Sequence, residues 1–113
     1  MTGRIIGTGA CVPERVVSND DLSKMVETND EWIRERTGIA RRHIISGGET
    51  TVTLAAEAGR RALDMAGIAA EELDMILLSS ISSNVILPCA ACAVQGLIGA
   101  VNAVCYDLNA ACS

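Results

Sequence analysis

The stretch Val104-Cys105-Tyr106-Asp107-Leu108-Asn109-Ala110-Ala111-Cys112-Ser113 decides how the rest of the chain is read. Residues 103–108 are apolar with strand character, and the chain then passes through small residues to a single thiol at Cys112. This is how an α/β protein presents a nucleophile at a strand-to-helix junction. Small side chains let a substrate approach the backbone. A helix that begins at such a point turns the positive end of its dipole toward the sulfur and favours the thiolate. Cys112 is therefore a candidate nucleophile, and the competing reading is a buried cysteine at a strand end. A cysteine nucleophile needs a base and oxyanion donors. The sole histidine, His43, lies far away in a basic stretch and is not expected to serve.

Working back from this strand, residues 89–98 are small and apolar. They follow Pro88 and end at Gly99, which predicts a largely buried helix. Residues 75–78 are continuously apolar and read as a strand buried on both faces, led in by Glu71 and Glu72 and followed by a polar loop over residues 79–84. The spacing of Leu54, Ala55, Ala58, Ala62 and Met65 predicts a helix over residues 51–66, stopped by Gly67, with those side chains as its buried stripe. Gly47-Gly48 marks a turn. Thr28 or Asn29 caps a helix running through Asp30, Glu31, Trp32, Ile33 and Arg36 to Gly38. Ser18 caps another, with Asp20 and Asp21 in its first turn and Leu22, Met25 and Val26 on its apolar side. Residues 4–9 read as a short buried strand ending in a glycine turn, and Pro13 follows in a loop. Helices between strands imply crossovers and a parallel or mixed sheet, an α/β fold. There is no internal repeat or low-complexity segment.

The length of 113 residues corresponds to about one small domain. Hydrophobic residues make up 50%, yet Phe is absent and aromatics are 2%, so the core is expected to be built from Ala, Ile, Leu, Val and Met. The net charge of −5 disfavours nonspecific nucleic-acid binding. No apolar run reaches the length of a membrane span, and the N-terminus lacks a signal-peptide pattern. The expectation is a soluble cytoplasmic protein with no nucleic-acid or membrane partner. Arg34, Arg36, Arg41 and Arg42 cluster beside His43 with only Glu35 opposing, either as a solvated turn or as a local anion site.

Five cysteines, Cys11, Cys89, Cys92, Cys105 and Cys112, argue against a disulfide framework. Cys89-Ala90-Ala91-Cys92 matches C-x-x-C, but nothing in the sequence completes a zinc ligand set. A redox pair remains open, and two packed core thiols are the favoured reading. Trp32 is the only tryptophan. With Arg36 it could stack an adenine and neutralise a phosphate, or it could simply anchor a short helix.

Taken together, these residues resemble β-ketoacyl-acyl carrier protein synthase III, of the thiolase superfamily. The resemblance runs from Ile5-Ile6-Gly7-Thr8-Gly9 and Pro13 through Asn29-Asp30-Glu31-Trp32-Ile33, Arg36-Thr37-Gly38-Ile39 and Arg42-His43. It continues with Ala66-Gly67-Ile68, Pro88, Ala90-Ala91-Cys92 and Gln95, and ends in Asp107-Leu108-Asn109-Ala110-Ala111-Cys112-Ser113. The Trp32 segment and the Ala-Ala-Cys-Ser ending are its specific parts. The resemblance implies a thiolase-like fold, layered α/β/α/β/α, of which residues 1–113 are a partial N-terminal domain. It implies a homodimeric acyltransferase that condenses an acyl-CoA primer with malonyl-acyl carrier protein to initiate fatty-acid synthesis.

By the same resemblance, Cys112 takes the acyl group as a thioester, Trp32 stacks on the CoA adenine, and Thr28 and Arg36 contact CoA. Leu87 stands where the family often has Phe, a residue that lines the partner subunit's primer pocket, so a bulkier primer could be admitted. The C-x-x-C is then incidental. No metal or cofactor is implied, because acyl-CoA is a substrate. The family's catalytic His and Asn and its second oxyanion donor have no counterpart here. The 113 residues alone are expected to be inactive, and either poorly folded or one piece of a longer molecule. The alternatives are a sister condensing enzyme, of secondary metabolism or of the 3-hydroxy-3-methylglutaryl-CoA synthase type, and a non-catalytic fragment.

Overall fold

The computed structural model describes residues 2–82 and 86–112. They fall into two compact units, residues 12–49 and residues 1–11 joined with 50–113.

The 12–49 unit holds β1 (Val16–Ser18), α1 (Asn19–Ser23), α2 (Asp30–Thr37) and β2 (Arg41–His43). β1 and β2 pair antiparallel, Val16 opposite His43 and Ser18 opposite Arg41. Ser18 ends β1 and caps α1. Its Oγ accepts the Asp21 N–H at 3.1 Å, while the Asp21 carboxylate accepts the Ser18 N–H at 3.1 Å. This reciprocal pair satisfies two otherwise orphaned donors. Of the two expected caps of α2, Asn29 is the one used: its Oδ1 accepts the Trp32 N–H at 2.8 Å. Gly38 closes the helix at φ 71°, a left-handed conformation that glycine adopts without a Cβ penalty.

Val17, Ile33 and Asn19 form the buried centre of this unit. Asn19 is its hub. Its amide donates to Asp30 Oδ1 and to the Ile39 carbonyl, both at 2.8 Å, and its Oδ1 accepts from Arg42 at 3.0 Å. Two expectations are corrected. The stretch containing Arg41, Arg42 and His43 is a strand. Met25 and Val26 lie beyond the end of α1 and are exposed, because the helix stops at Ser23.

The other unit holds α3 (Thr51–Ala66), a 3-10 turn (Ala70–Glu72), β3 (Met75–Ser79), α4 (Ala90–Ile98) and β4 (Val104–Leu108). β3 and β4 pair parallel, Met75 opposite Val104 and Ser79 opposite Leu108, with α4 as the crossover. Thr50 caps α3 through Thr53, and Gly67 ends it at φ 70°. The core is built from small residues: Ala56, Ala90, Ala91, Val94, Ala100 and Ala103. Gln95 on α4 donates to the carbonyls of Ala100 at 3.0 Å and Ala103 at 2.6 Å, fixing the turn into β4. Arg60 on α3 donates to the Leu97 carbonyl at 2.7 Å.

Three further expectations change here. Met65 is 66% exposed, while Ala56, not assigned to the stripe, is the fully buried residue of α3. β3 is not buried on both faces: Met75 and Leu77 are exposed, as are Val104, Tyr106 and Leu108 on β4. Helices cover only one face of this two-stranded sheet among the described residues. Residues 4–9 form no strand, and Ile5 is 85% exposed. That segment lies against α3 instead of a strand edge. A Cβ on Gly7 would strike the Ala62 carbonyl, one on Gly9 the Ala58 carbonyl, and Arg61 donates to the Ala10 carbonyl at 2.7 Å. The loop expected over residues 79–84 begins after Ser79, which is the last residue of β3 and pairs with Leu108, and its residues 83 and 84 lie outside the described residues.

Candidate functional site

β4 delivers the candidate nucleophile. Asp107, near its end, caps the helix beside it: its two carboxylate oxygens accept the Ala90 N–H at 2.7 Å and the Ala91 N–H at 2.8 Å. Cys89, the N-cap residue of α4, makes no side-chain cap of its own. A carboxylate here satisfies two of the helix's orphaned donors and meets the positive end of its dipole. It also ties the C-terminal end of β4 to the start of α4, a strand-end location typical of α/β sites. The Ser80 N–H reaches the Leu108 carbonyl at 3.1 Å and extends the ladder by one bond.

Beyond β4 the chain turns sharply. Ala111 sits at φ 48°, the only positive φ outside glycine among the described residues. A side chain in this left-handed region costs about 1 kcal/mol. The next residue, Cys112, is exposed with a free thiol. Ser113 lies outside the described residues. Leu87, just ahead of α4, is exposed.

Cys89 and Cys92 lie side by side in the first turn of α4, with their sulfurs 3.1 Å apart. The hydrogen bond with Cys89 pushes the Cys92 thiol up to about 11, and desolvation adds to the rise, as do the neighbouring Cys89 and Cys105. All five cysteines are free. Among the described residues, no group of three or more His, Cys, Asp and Glu side chains is placed to hold a metal, and no helix is long and apolar enough to cross a membrane.

Thr28, Trp32 and Arg36 come together in the 12–49 unit. Trp32 is 52% exposed. The Arg36 guanidinium lies 5.1 Å from its ring centroid, one helical turn away, within the range of a cation–π contact. Glu27, Thr28, Asn29 and Trp32 line an open cavity of about 240 Å³. The Thr28 hydroxyl is buried there without a hydrogen-bond partner among the described residues.

The basic cluster divides. Arg34 pairs with Asp30 at 2.8 Å, and Arg42 is bonded to Asn19. Hydrogen bonds from Asn19 and then Arg34 hold the Asp30 carboxyl below its ordinary pKa. His43 Nδ1 donates to the Pro13 carbonyl at 2.6 Å, which occupies that nitrogen. Thr28, Trp32 and Arg36 thus belong to one unit and Leu87 and Cys112 to the other. Sequence reasoning missed Asp107 and Asn19. Asp107 did carry a signal, as the only charge in an otherwise apolar strand. Asn19, one polar residue among several at a helix start, carried none.

No protein-family model matches the chain. Over 113 residues it is 54% identical to the β-ketoacyl-[acyl-carrier-protein] synthase III of Desulfotalea psychrophila, covering all of this chain and 35% of that protein. Among solved structures, it resembles 3-oxoacyl-[acyl-carrier-protein] synthase III from Aquifex aeolicus at 42% identity and a TM-score of 0.91, over 96% of this chain and 35% of that one. The priming β-ketosynthase of the R1128 polyketide pathway matches at 38% identity and a TM-score of 0.93, over 96% and 33%. The chain spans about a third of the length of the relatives it matches. From end to end, the chain is homologous to a segment of the β-ketoacyl-[acyl-carrier-protein] synthase III enzymes, and over that segment it has their thiolase-type α/β fold.

Proposed function

We propose that the protein carrying this segment condenses an acyl-CoA primer with malonyl-acyl carrier protein, the initiating step of fatty-acid synthesis. The Cys112 thiolate attacks the primer's thioester carbonyl, the bond to the CoA sulfur breaks, and CoA leaves and takes up a proton. The acyl group then rests on Cys112. Malonyl-acyl carrier protein loses carbon dioxide, its carbanion attacks the acyl carbonyl, and the Cys112 sulfur departs. The groups that assist decarboxylation lie outside residues 1–113, so this segment supplies the nucleophile and part of the primer site.

The observation that carries this reading is the exposed Cys112 directly after Ala111 at φ 48°, at the end of a parallel strand. Backbone strain in a non-glycine residue is concentrated at functional sites. Trp32 and Arg36 support the CoA assignment: an open indole face for the adenine and a guanidinium beside it for phosphate. Thr28 lines the same cavity as Trp32 and is assigned to the CoA site by the family resemblance. CoA acts as substrate and leaving group, and no separate cofactor is assigned. The active form is a cytoplasmic homodimer in which Leu87 of one subunit borders the primer pocket of the other. Its side chain is smaller than Phe and leaves room for a branched primer.

The test is CoA release by the full-length protein with acetyl-CoA or isobutyryl-CoA and malonyl-acyl carrier protein. Release with both primers, abolished by Cys112→Ala, is expected. Release that survives Cys112→Ala would overturn the assignment, and rejection of isobutyryl-CoA would remove the role given to Leu87. A second reading, priming of a polyketide pathway, is favoured by the likeness to the R1128 priming β-ketosynthase. It predicts preference for a dedicated polyketide carrier protein as acceptor.

A further inference from the structure

We propose that Cys89 and Cys92 form a thiol–disulfide exchange site that reacts with a low-molecular-weight disulfide of the glutathione type. Cys89 is the N-cap of α4 and Cys92 the third residue of its first turn, and their sulfurs are 3.1 Å apart. A disulfide has a bond of about 2.05 Å, so closure needs the sulfurs to approach by about 1 Å. The first turn does not rely on the Cys89 side chain for capping. Asp107 holds the amides of Ala90 and Ala91, and the Cys89 carbonyl accepts the Cys92 N–H at 3.0 Å. Both sulfurs are therefore free to change partners without unwinding the helix.

Access and order of attack follow from the surroundings. Cys89 is half-buried and is preceded by exposed Ile86, Leu87 and Pro88, which leave it open to a small molecule. Cys92 is half-buried as well, and its hydrogen bond with Cys89 favours its protonated form, which leaves Cys89 as the first to attack. Cys89 loses its proton to solvent and attacks one sulfur of the small disulfide. The S–S bond breaks, one thiolate leaves, and a mixed disulfide remains on Cys89. Cys92 then gives its proton to solvent and its sulfur attacks Cys89, expelling the second thiolate. The two cysteines are oxidised by two electrons, and the small disulfide is reduced to two thiols once the leaving thiolates take up the released protons. Cys105, which also bears on Cys92, is the competing partner.

The test equilibrates the full-length protein with reduced and oxidised glutathione, blocks remaining thiols by alkylation, and maps the products by mass. Residues 62–113 contain no Lys or Arg, so trypsin leaves Cys89, Cys92, Cys105 and Cys112 on one peptide. Cleavage before Asp74 and Asp107 instead separates residues 74–106 from Cys112. The expected product is that peptide lighter by two hydrogen atoms, with fragment ions placing the bond between Cys89 and Cys92. Cys11, Cys105 and Cys112 carry the alkyl label. In urea the equilibrium constant for this bond should fall about tenfold, since the structure holds the sulfurs together. Cys92→Ser should instead trap glutathione on Cys89. A bond to Cys105, no glutathione on Cys89 in Cys92→Ser, alkylation of both Cys89 and Cys92, or equal closure in urea would overturn the proposal.

Discussion

The Asp107 carboxylate on β4 accepts the backbone N–H of Ala90 at 2.7 Å, so the strand that leads to Cys112 also caps the helix beside it. The second oxygen takes the Ala91 N–H at 2.8 Å. Asn in place of Asp keeps one acceptor and loses the charge that faces the helix dipole. Asp107→Asn should cost about 1–2 kcal/mol of α4 stability and speed hydrogen exchange at the Ala90 and Ala91 amides. Unchanged exchange at these two amides would show that the cap is dispensable.

Asn19→Ala should be among the more destabilising single changes in residues 12–49. It removes three hydrogen bonds at once and leaves the Ile39 carbonyl and one Arg42 donor without their partner. The expected loss is about 1–3 kcal/mol, read as faster amide exchange across α1, α2 and β2. Exchange confined to α1 would mean that Asn19 does not link these elements.

The capping box of α1 should respond to acid. Hydrogen bonds from the Ser18 hydroxyl and then the Ser18 amide, with a smaller contribution from Lys24, hold the Asp21 carboxyl at about 2. The folded pKa lies below the unfolded value of about 3.9. Its stabilising contribution is therefore present above about pH 4 and is lost as pH falls toward 2. In an NMR titration the Ser18 amide resonance should move with a midpoint near 2, and Asp21→Asn should remove that transition. A midpoint at the ordinary carboxylate value would contradict the capping geometry.

Trp32 is the only tryptophan among residues 1–113, and the part of the full-length protein's fluorescence that Trp32→Ala removes reports on this site. CoA added to the full-length protein should quench it. Arg36→Ala should weaken CoA binding by about tenfold through loss of a charged phosphate contact, and Trp32→Ala by a similar factor through loss of stacking, with binding of each variant followed calorimetrically. Equal affinity in all three proteins would leave Trp32 and Arg36 as a helix anchor and its neighbour.

The exposed sheet face has a consequence for the 113 residues taken alone. Leu77 and Tyr106 are paired in register and both more than half exposed, and Met75, Val104 and Leu108 extend the same apolar surface. A surface of this kind promotes association and weakens cooperativity. The isolated chain should bind a hydrophobic dye and melt broadly. A sharp calorimetric transition without dye binding would argue that these residues form a self-sufficient domain.

What the sequence made legible was what local chemistry determines. Gly67 ends α3, one of the two expected caps and Gly38 bound α2, and Gly99 ends α4, because caps and left-handed glycines act within a single turn, while the Thr50 cap of α3 was missed. The parallel β3–α4–β4 order followed from alternating patterns. Burial was less legible because it depends on distant layers. The run from Met75 to Leu78 has the composition of a doubly covered strand, and only one face is covered among the described residues. Ile5 and Ile6 have strand character but no strand edge to pair with. β1 and β2 are three residues each, too short to show alternation, and β2 lies in a basic stretch. Trp32 and Arg36 were readable as a stacking face beside a cation, Thr28 came from the family resemblance alone, and the structure adds the Arg36–Trp32 contact. The sulfur-to-sulfur proximity of Cys89 and Cys92 was latent in C-x-x-C, whose spacing alone could not separate packed thiols from a reactive pair.

The most direct test of the proposed chemistry is to incubate the full-length protein with acetyl-CoA, without malonyl-acyl carrier protein, and map the adduct by mass. Cleavage before Asp107 places Cys112 on a peptide apart from Cys11, Cys89, Cys92 and Cys105. The expected result is one acetyl group on Cys112, absent in Cys112→Ala. An acetyl group on another residue, or none while Cys112 remains open to alkylation, would contradict its assignment as the nucleophile.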